Sequence, residues 1–286
     1  MTFPSVNILP DERRGYVDGP CGQVHYREQG EGIPLVLVHQ APWGSIAYRR
    51  AIPLLARQDY RVIALDLPGH GMSSPPEGDP SVEIYAETLA ALIDGLGLDS
   101  VILLGHRAGG LVAARTAAEF STKVSALVTD NMPFYSAERV SRVAALVEVQ
   151  DIEPDGSHFT TRWALMRRIG DPAWSDETVH VGLVTYFTNG PWKDHGHRAA
   201  VAYDLGPDIE RIACPTLVLS SRSDHLFPMG QLLIAKRPDW SYAELPGGPG
   251  MVFERTTEWA QPILNFLSTW FGRNGNTLED SVHPRD

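Results

Sequence analysis

The chain has 286 residues and a formal net charge of −11, and 43% of its residues are hydrophobic while 21% are charged. This length suits one large α/β domain with an insertion, and the composition provides for a sizeable core and excludes global disorder. The acidic balance disfavours nucleic acid and anionic membrane surfaces as partners, because both repel a negatively charged protein.

The cellular compartment is predicted from the first residues and the cysteines. The opening segment MTFPSVNILPDERR carries charges early and lacks the apolar stretch of a signal peptide. No run of 18 apolar residues is present, so no membrane span is expected. Cys21 and Cys214 lie far apart without a Cys-x-x-Cys pattern, which favours two buried thiols over a disulfide. We therefore expect a cytoplasmic protein.

The first part of the chain predicts strands separated by helices. After a loose arm at residues 1–14, two short strands are expected, followed by two continuous apolar runs that each end in a polar loop. Runs of this kind are typical of strands buried on both faces of a parallel sheet. The predicted strands are residues 15–17, 22–27, 33–40 (IPLVLVHQ) and the start of 61–71 (RVIALDLPGHG), with a helix at 45–58.

The same alternation continues through residue 130. A helix is expected at residues 81–96, with Ser81 as its N-cap and Glu83 in its first turn. The apolar run SVILLGHRAGG at residues 100–110 then predicts a strand that leads into a glycine-rich turn. A helix at 111–120 and a strand at 123–130 complete the pattern. Strands and helices in alternation predict a doubly wound parallel sheet.

The rhythm changes between residues 132 and 209, where helical spacing continues without a buried strand. We predict a helical cap here, inserted after the sixth strand, and a core made of residues 1–131 and 210–272. The sheet is expected to resume at 214–221 and to end with 241–245, followed by a closing helix at 254–271. The polar tail at 273–286 is expected to be disordered.

Four motifs carry a resemblance to a known family. Gly105-His106-Arg107-Ala108-Gly109 lies between a buried strand and a helix, which is the context of the nucleophile elbow G-x-S-x-G. The other motifs are His39-Gln40-Ala41-Pro42, Asp66-Leu67-Pro68-Gly69-His70-Gly71-Met72-Ser73, and Pro215-Thr216-Leu217-Val218-Leu219 followed by Asp224. In this order and spacing, residues 15–272 resemble the cap-bearing α/β-hydrolase superfamily. The resemblance implies a mostly parallel, eight-stranded sheet flanked by helices.

The sequence departs from the family pattern at two of the three triad positions. Arg107 stands where the nucleophile belongs, and a guanidinium stays protonated and has no lone pair to offer. The histidine position falls on Pro249 or Gly250, and no histidine lies between His225 and His283. Only the acid position is retained, as Asp224. The pattern therefore excludes a covalent acyl-enzyme formed at the elbow.

Two roles remain open for Arg107. A fixed cation beside the backbone donors of Ala41 and Ala108 would bind a carboxylate, an enolate or a developing oxyanion. In that case Asp224 would pair with Arg107 or act as an acid or base. Alternatively, Arg107 and Asp224 form a structural ion pair in an inactive site, since a buried arginine needs a partner.

Further site candidates follow other strands of the sheet. His225 is a catalytic candidate that faces either the cleft or solvent, and which histidine, if any, acts as a base is left open. We expect His39 to support the oxyanion loop, His106 to be structural and His70 to be exposed. Gln40, Ala41, Trp43, Ala108 and Asp130 are expected to contact the substrate, because ligands bind at the carboxyl ends of the strands. Ser45 is expected to start a helix. Packing is the simpler role for the other cap candidates, which are His158, Trp163, Arg167, Arg168, Tyr186, Trp192, His195, His197 and Tyr203.

No cofactor is predicted, because the sequence contains no zinc-type Cys/His spacing, no Walker loop and no G-x-G-x-x-G after the first strand. The first functional hypothesis is an enzyme that acts on a small organic molecule, as a hydrolase or a lyase without a serine nucleophile. The second is a non-catalytic binder, a pseudoenzyme or receptor of the same fold. The oligomeric state is left open.

Overall fold

A computed structural model describes residues 11–134 and 152–272 of the chain. Its eight strands are β1 (Arg13–Gly19), β2 (Gly22–Gln29), β3 (Ile33–Val38), β4 (Tyr60–Leu65), β5 (Val101–His106), β6 (Val124–Asp130), β7 (Thr216–Ser221) and β8 (Ser241–Leu245). Its α-helices are α1 (Ala51–Ala56), α2 (Val82–Gly95), α3 (Ala108–Glu119), α4 (Ser157–Ile169), α5 (Asp176–Thr188), α6 (His195–Ala202), α7 (Gly206–Ile209), α8 (Phe227–Lys236), α9 (Met251–Glu254) and α10 (Thr256–Phe271).

The eight strands form one sheet in the order β1-β2-β4-β3-β5-β6-β7-β8. Strand β2 pairs antiparallel with both β1 and β4, and every other pairing is parallel, so the predicted fold class is confirmed. The chain leaves β3 toward β4 on one side and returns to β5 on the other. This reversal leaves a crevice at the carboxyl ends of β3 and β5, where open α/β sheets bind ligands.

The central strands are apolar throughout because both of their faces are covered. Leu35 and Leu37 of β3 pack into the same cluster as Trp259 of α10. Val36 and Val38 point to the opposite face and pack with residues of α2 and α3. Successive side chains of a strand alternate between faces, so a strand between two helical layers needs an apolar residue at every position.

The structure departs from the expected element boundaries in three places. The predicted helix at 45–58 is a 3₁₀ turn at Ser45–Tyr48 followed by α1, because Pro53 has no N–H to bond to the carbonyl of Arg49. Strand β1 already begins at Arg13, within the predicted arm. Helix α3 begins three residues earlier than expected, at Ala108. The remainder of the arm, residues 135–151 of the predicted cap and the tail at 273–286 lie outside the described residues.

The described part of the segment between β6 and β7 contains helices α4 to α7 joined by turns and loops, with no strand between residues 152 and 209. No helix in the described ranges is long and apolar enough to cross a membrane. Cys21 and Cys214 are free thiols, and both are half-buried rather than fully buried as expected.

The close backbone contact between α3 and the end of β3 predicts a strong effect of Gly109→Ala. A Cβ atom at this position would lie 2.1 Å from the carbonyl oxygen of Val38 and 2.6 Å from that of His39. We expect the substitution to lower the free energy of unfolding by at least about 2 kcal/mol, because two backbone segments would have to separate. Urea denaturation of the purified variant measures this.

The matched control is Gly78→Ala, where a Cβ atom would meet nothing within 4 Å. Its free energy of unfolding should stay within about 0.5 kcal/mol of the wild type. Equal stability of both variants would show that α3 does not approach β3 as closely as described.

Candidate functional site

Arg107 occupies a strained backbone position between β5 and α3. Its φ of 50° and ψ of −117° lie in a region that side-chain-bearing residues rarely adopt. The strain costs about 1–3 kcal/mol and persists only where the surroundings enforce it. Here the Arg107 N–H donates to the Asp130 carbonyl at 2.8 Å, and the Gly110 N–H donates to the Arg107 carbonyl at 2.8 Å.

The two glycines of the motif enforce this turn. A Cβ atom at Gly105 would lie 2.2 Å from the Gly109 carbonyl oxygen, and one at Gly109 would collide with the end of β3. Only glycine permits this crossing of the two backbones. Residue 107 is therefore held over the carboxyl edge of the sheet whatever its side chain.

Arg107 and Asp224 form an ion pair across this edge. The Arg107 Nη2 atom lies 2.6 Å from Asp224 Oδ2, and the side chains are 21% and 0% exposed, respectively. The second carboxylate oxygen of Asp224 accepts the Leu226 N–H at 3.0 Å and lies 3.2 Å from Nδ1 of His225. Asp224 thus faces Arg107 and its own turn, with no surface left for a ligand.

His39 fixes the loop that follows β3. Its Nε2 atom accepts the Leu67 N–H at 3.0 Å, so its Nδ1 carries the proton and donates to the Gln40 carbonyl at 2.9 Å. Burial lowers the pKa of His39, which keeps the ring neutral. The imidazole thereby ties the loop with Gln40, Ala41 and Trp43 to the end of β4.

Asp66 secures the next turn of the same edge. Its carboxylate accepts hydrogen bonds from His25 Nδ1 at 2.7 Å, the Ser45 N–H at 2.5 Å and the Met72 N–H at 3.0 Å. Burial alone would raise the pKa of Asp66, but the interaction with His25 and the other hydrogen bonds lower it well below its ordinary value. The Ser45 hydroxyl accepts from Arg27 Nε at 2.8 Å and does not line the cavity.

Asn189, at the end of α5, connects this edge to the helical segment. Its Nδ2 donates to the Pro42 carbonyl at 2.6 Å, and its Oδ1 accepts the Gly71 N–H at 3.1 Å. One buried amide at the end of α5 therefore connects the loops that follow β3 and β4.

A cavity of about 330 Å³ lies over Arg107. Its floor and one wall come from the sheet edge, including Gln40, Ala41, Trp43, Arg107, Ala108 and His225. The facing wall comes from the segment between β6 and β7, including Arg162, Met166, Ile169, Trp174, His197 and Val201. Apart from the arginines and histidines the lining is mostly apolar, which suits a small organic ligand with a few polar groups.

Asp130 was expected to contact substrate, but the structure places it away from the cavity. Its Oδ2 accepts from His106 Nδ1 at 2.7 Å and from Trp259 Nε1 at 2.8 Å, while Oδ1 accepts from Asn131 Nδ2 at 2.8 Å. The carboxylate is 1% exposed. Asp130 lies behind the elbow and ties β5 and β6 to α10, and His106 has the structural position expected for it.

The histidines are distributed differently from the expectations. His70, expected to be exposed, is buried, and burial lowers its pKa to about 3. His225 lies at the cavity rim with a side chain that is 69% exposed. His197 was assigned to packing, but it lines the cavity, and burial with the charges of Arg162 and Arg107 lowers its pKa to about 4.

Arg162 is not among the candidates that the sequence analysis names, although its neighbours Trp163, Arg167 and Arg168 are. Arg162 lines the cavity, while Arg167 contacts the Trp174 carbonyl and Asp176. Helical spacing places Arg162 and Met166, which are four residues apart, on one face of α4, but it does not show which face meets the cavity.

The position expected for a triad histidine is filled by other side chains. A Cβ atom on Gly250 would lie 2.4 Å from Nε1 of Trp174, and one on Gly248 would lie 2.4 Å from the Asp171 carboxylate. Asp171 also accepts the Gly250 N–H at 2.9 Å. The connection between α4 and α5 therefore packs directly against this loop.

These features agree with comparisons with known proteins. Residues 33–188 match the family described as alpha/beta hydrolase fold. The chain therefore belongs to the α/β hydrolase fold family. Solved structures with the same fold include epoxide hydrolase VrEH1 from Vigna radiata, at a TM-score of 0.74 and 17% identity over 92% of this chain and all (100%) of that one. E-2-(acetamidomethylene)succinate hydrolase has a TM-score of 0.74 and 20% identity over 90% and 99% of the two chains.

Similarity to proteins of known sequence extends over part or most of their length. Haloalkane dehalogenase 2 of Mycobacterium tuberculosis is 30% identical over 58% of this chain and 55% of its own. Bifunctional epoxide hydrolase 2 of Mus musculus is 33% identical over 43% of this chain and 23% of its own. The putative non-heme chloroperoxidase of Synechocystis is 26% identical over 85% and 94%, respectively. The chain thus spans about half the length, or less, of the first two relatives.

Neutral buried histidines predict that stability falls in mild acid. His39, His70 and His197 have pKa values lowered below the ordinary 6.5, so the unfolded chain binds their protons first. The free energy of unfolding should therefore decrease as the pH falls from about 6.5 toward 4. His70→Gln should flatten this slope by up to about 1.4 kcal/mol per pH unit. Urea denaturation at several pH values measures it.

Arg168→Gln serves as the control, because this exposed side chain does not titrate between pH 4 and 6.5. Its stability should follow the wild-type pH dependence. An unchanged slope in His70→Gln would contradict a buried neutral imidazole at position 70.

Proposed function

We propose that the protein is an enzyme that hydrolyses or cleaves a small organic molecule without a serine nucleophile. Arg107 would bind an anionic or oxyanionic group of the substrate at the floor of the cavity. The observation that carries this proposal is the position of a partly exposed guanidinium on the strained elbow, beside the cavity and fixed by a buried carboxylate.

The chemistry follows from what a guanidinium can do at this point. It donates two parallel hydrogen bonds to a carboxylate, an enolate or a developing oxyanion, and it stays charged at every physiological pH. Ala41 and Ala108 border the same part of the cavity. A fixed charge that meets developing negative charge lowers the barrier, because no solvent has to reorganise.

Asp224 enters the proposal as a positioning residue rather than as an acid or base. Its carboxylate is fully buried and its oxygens face Arg107 and the following turn. A group that cannot reach the ligand acts through its partner, by fixing the orientation of the guanidinium. The expected acid–base role of Asp224 does not fit this geometry.

A histidine would then carry the proton, and two histidines border the cavity. His225 lies at the rim beside Asp224, and His197 lies deeper, on α6. A lone pair on either imidazole can accept a proton from water or from a substrate carbon. His225, the candidate named from the sequence, is kept as a proposal alongside His197, and separate substitution of each distinguishes them.

We further propose that the helices between β6 and β7 act as a cap, with residues 1–131 and 210–272 as the core. The wall formed by Arg162, Met166 and Trp174 supports this division. Trp174 also supports a non-standard triad, because its indole occupies the space beside Gly250. Arginine at the elbow and tryptophan in the histidine space suggest a site rebuilt as a whole.

Family membership and the relatives named as haloalkane dehalogenase and epoxide hydrolase support enzymatic activity. A non-catalytic binder of the same fold is the second candidate. It is favoured by one observation, since Arg107 already has its charge balanced by Asp224 at 2.6 Å. Such a pair is complete without a ligand.

Substitution of the elbow arginine tests the proposed activity. A screen of esters, lactones and substrates with a cleavable C–C bond identifies a substrate of the wild type. With that substrate, Arg107→Ala should reduce kcat/KM at least about 100-fold, because the oxyanion loses its fixed donor. Asp224→Asn should reduce kcat more than it raises KM, since it disturbs only the orientation of Arg107.

Arg168→Gln is the matched control, as an exposed arginine of α4, and should retain wild-type activity. A fluorophosphonate probe should leave the elbow unlabelled, because no hydroxyl stands there. Equal activity of wild type and Arg107→Ala would reject the proposed site. Failure of every substrate class would favour the binder.

The filled histidine position predicts a coupling between Gly250 and Trp174. Gly250→Ala should lower the free energy of unfolding by at least about 1 kcal/mol, because the new methyl group meets the indole. The same substitution in a Trp174→Ala background should cost less, and the difference measures the contact. Additive effects of the two changes in a thermal or urea denaturation series would show that the indole lies elsewhere.

A further inference from the structure

The cavity contains two guanidinium groups that differ in how their charges are balanced. Arg107 has a carboxylate at 2.6 Å, so the floor of the cavity is close to neutral. Arg162 lies in the facing wall and forms no salt bridge among the residues that the structure describes, although the charge of Asp194 acts on it from nearby. Within the described part of the chain, the cavity guanidinium without a directly paired carboxylate is therefore Arg162 and not Arg107.

Contacts with aromatic side chains hold Arg162 in place. Its guanidinium carbon lies 3.6 Å from the centre of the Tyr186 ring on α5, a stacked cation–π arrangement. The Tyr186 hydroxyl donates to Asp194 at 3.2 Å, which fixes the ring in turn. Within the described part of the chain, Nε of Arg162 is buried and has no hydrogen-bond partner. Because Nε is buried, a ligand in the cavity would meet the terminal nitrogens of this guanidinium, which can form charge-assisted hydrogen bonds.

His197 lies on α6 and lines the same cavity. Burial and the charges of Arg162 and Arg107 lower its pKa to about 4, so the ring is neutral at physiological pH and presents one N–H donor and one acceptor. None of its hydrogen-bonding capacity is used by the residues that the structure describes. The imidazole thus adds a neutral donor near a charged one.

We propose that Arg162 and His197 form a second binding subsite, which holds the carboxylate of an organic acid. A carbonyl group elsewhere in the same ligand would then meet Arg107, and the apolar body between them would lie against Met166, Trp174 and Val201. The ligand class is a small carboxylic acid that also bears an oxo or acyl group. The assignment of the second group to Arg107 rests on the function proposed above.

The charges around the two arginines favour a ligand carboxylate at Arg162 over one at Arg107. A carboxylate at Arg107 would bring a second negative group close to Asp224, whose buried carboxylate already faces that guanidinium. A carboxylate at Arg162 meets a guanidinium that forms no salt bridge among the described residues, because the nearby Asp194 carboxylate is hydrogen-bonded to the Tyr186 hydroxyl instead. The neutral carbonyl group, which develops charge only during reaction, suits the balanced position at the floor.

A matched ligand pair tests the subsite by binding alone, without turnover. The probes are 4-oxo-4-phenylbutanoate and its primary amide, which have the same size but differ in charge, titrated by isothermal calorimetry. The wild type should bind the carboxylate at least about tenfold tighter than the amide, as expected for a charge-assisted hydrogen bond. Equal affinities, or no saturable binding of the carboxylate, would overturn the proposal.

Variants locate the carboxylate. Arg162→Met should abolish the preference for the carboxylate while it keeps the apolar stem, and Arg162→Lys should keep part of it. Arg168→Gln, an exposed arginine on the same helix, should bind both probes as the wild type does. Thermal unfolding confirms that each variant is folded. If Arg162→Met is unfolded, Arg162→Lys and the salt dependence of the wild-type preference decide the question.

The double variant Arg107→Gln with Asp224→Asn separates this inference from the proposed activity. It removes both charges of the elbow pair, so it should lose turnover but retain the preference for the carboxylate. If the preference disappears in this variant and survives in Arg162→Met, the carboxylate binds at Arg107 and the second subsite is rejected. If the preference follows Arg162 while the elbow variants turn over normally, the subsite stands and the proposed activity fails.

Discussion

The close crossing of α3 over β3 and β5 is the constraint on which the site depends. Gly105 and Gly109 bring three backbone segments to a separation that no side chain would permit. The crossing forces residue 107 to a positive φ and points it over the edge of the sheet. This geometry costs about 1–3 kcal/mol of backbone strain. Burial of apolar side chains on both sides of the sheet offsets this cost. Any side chain at position 107 therefore points in the same direction, over the edge of the sheet.

An arginine in that position changes what the scaffold has to provide. A nucleophile needs a base within reach, whereas a guanidinium needs a counter-charge to enter a largely buried site. Asp224, in the loop after β7, satisfies this need, and the indole of Trp174 lies beside Gly250. The guanidinium at the elbow is thus balanced by a carboxylate from the same edge of the sheet.

Much of the fold could be predicted from the sequence, because parallel strands between two helical layers must be apolar at every position. The runs at Leu35–Val38 and Val101–His106 show this directly, and no loop or surface helix imitates them. The ends of the helices were harder to predict from the sequence, because Pro53 and Gly109 act through backbone contacts that are not visible in the pattern of apolar residues. The Arg107–Asp224 pairing was also predictable, because the motif fixes the direction of one partner and the strand order fixes the other.

Arg162 and His197 could not be predicted in the same way. They lie on helices between β6 and β7, where a cavity wall and a packed interface require similar residues. Which face of α4 meets the sheet depends on how the whole segment docks, and that orientation is a tertiary property. The misplacement of Asp130 and His70 has a related origin, because polar residues after a strand occupy either the ligand edge or the supporting layer behind it. Asp130 and His70 belong to the second group.

The two hydrogen bonds of Asn189 connect the helical segment between β6 and β7 to the loops at the edge of the sheet. The side-chain amide of Asn189 donates to the Pro42 carbonyl on one loop and accepts from the Gly71 N–H on another. Its backbone lies at the end of α5. Because both hydrogen bonds join the end of α5 to the edge of the sheet, a displacement of α5 would either displace the loop that carries Ala41 or break these bonds.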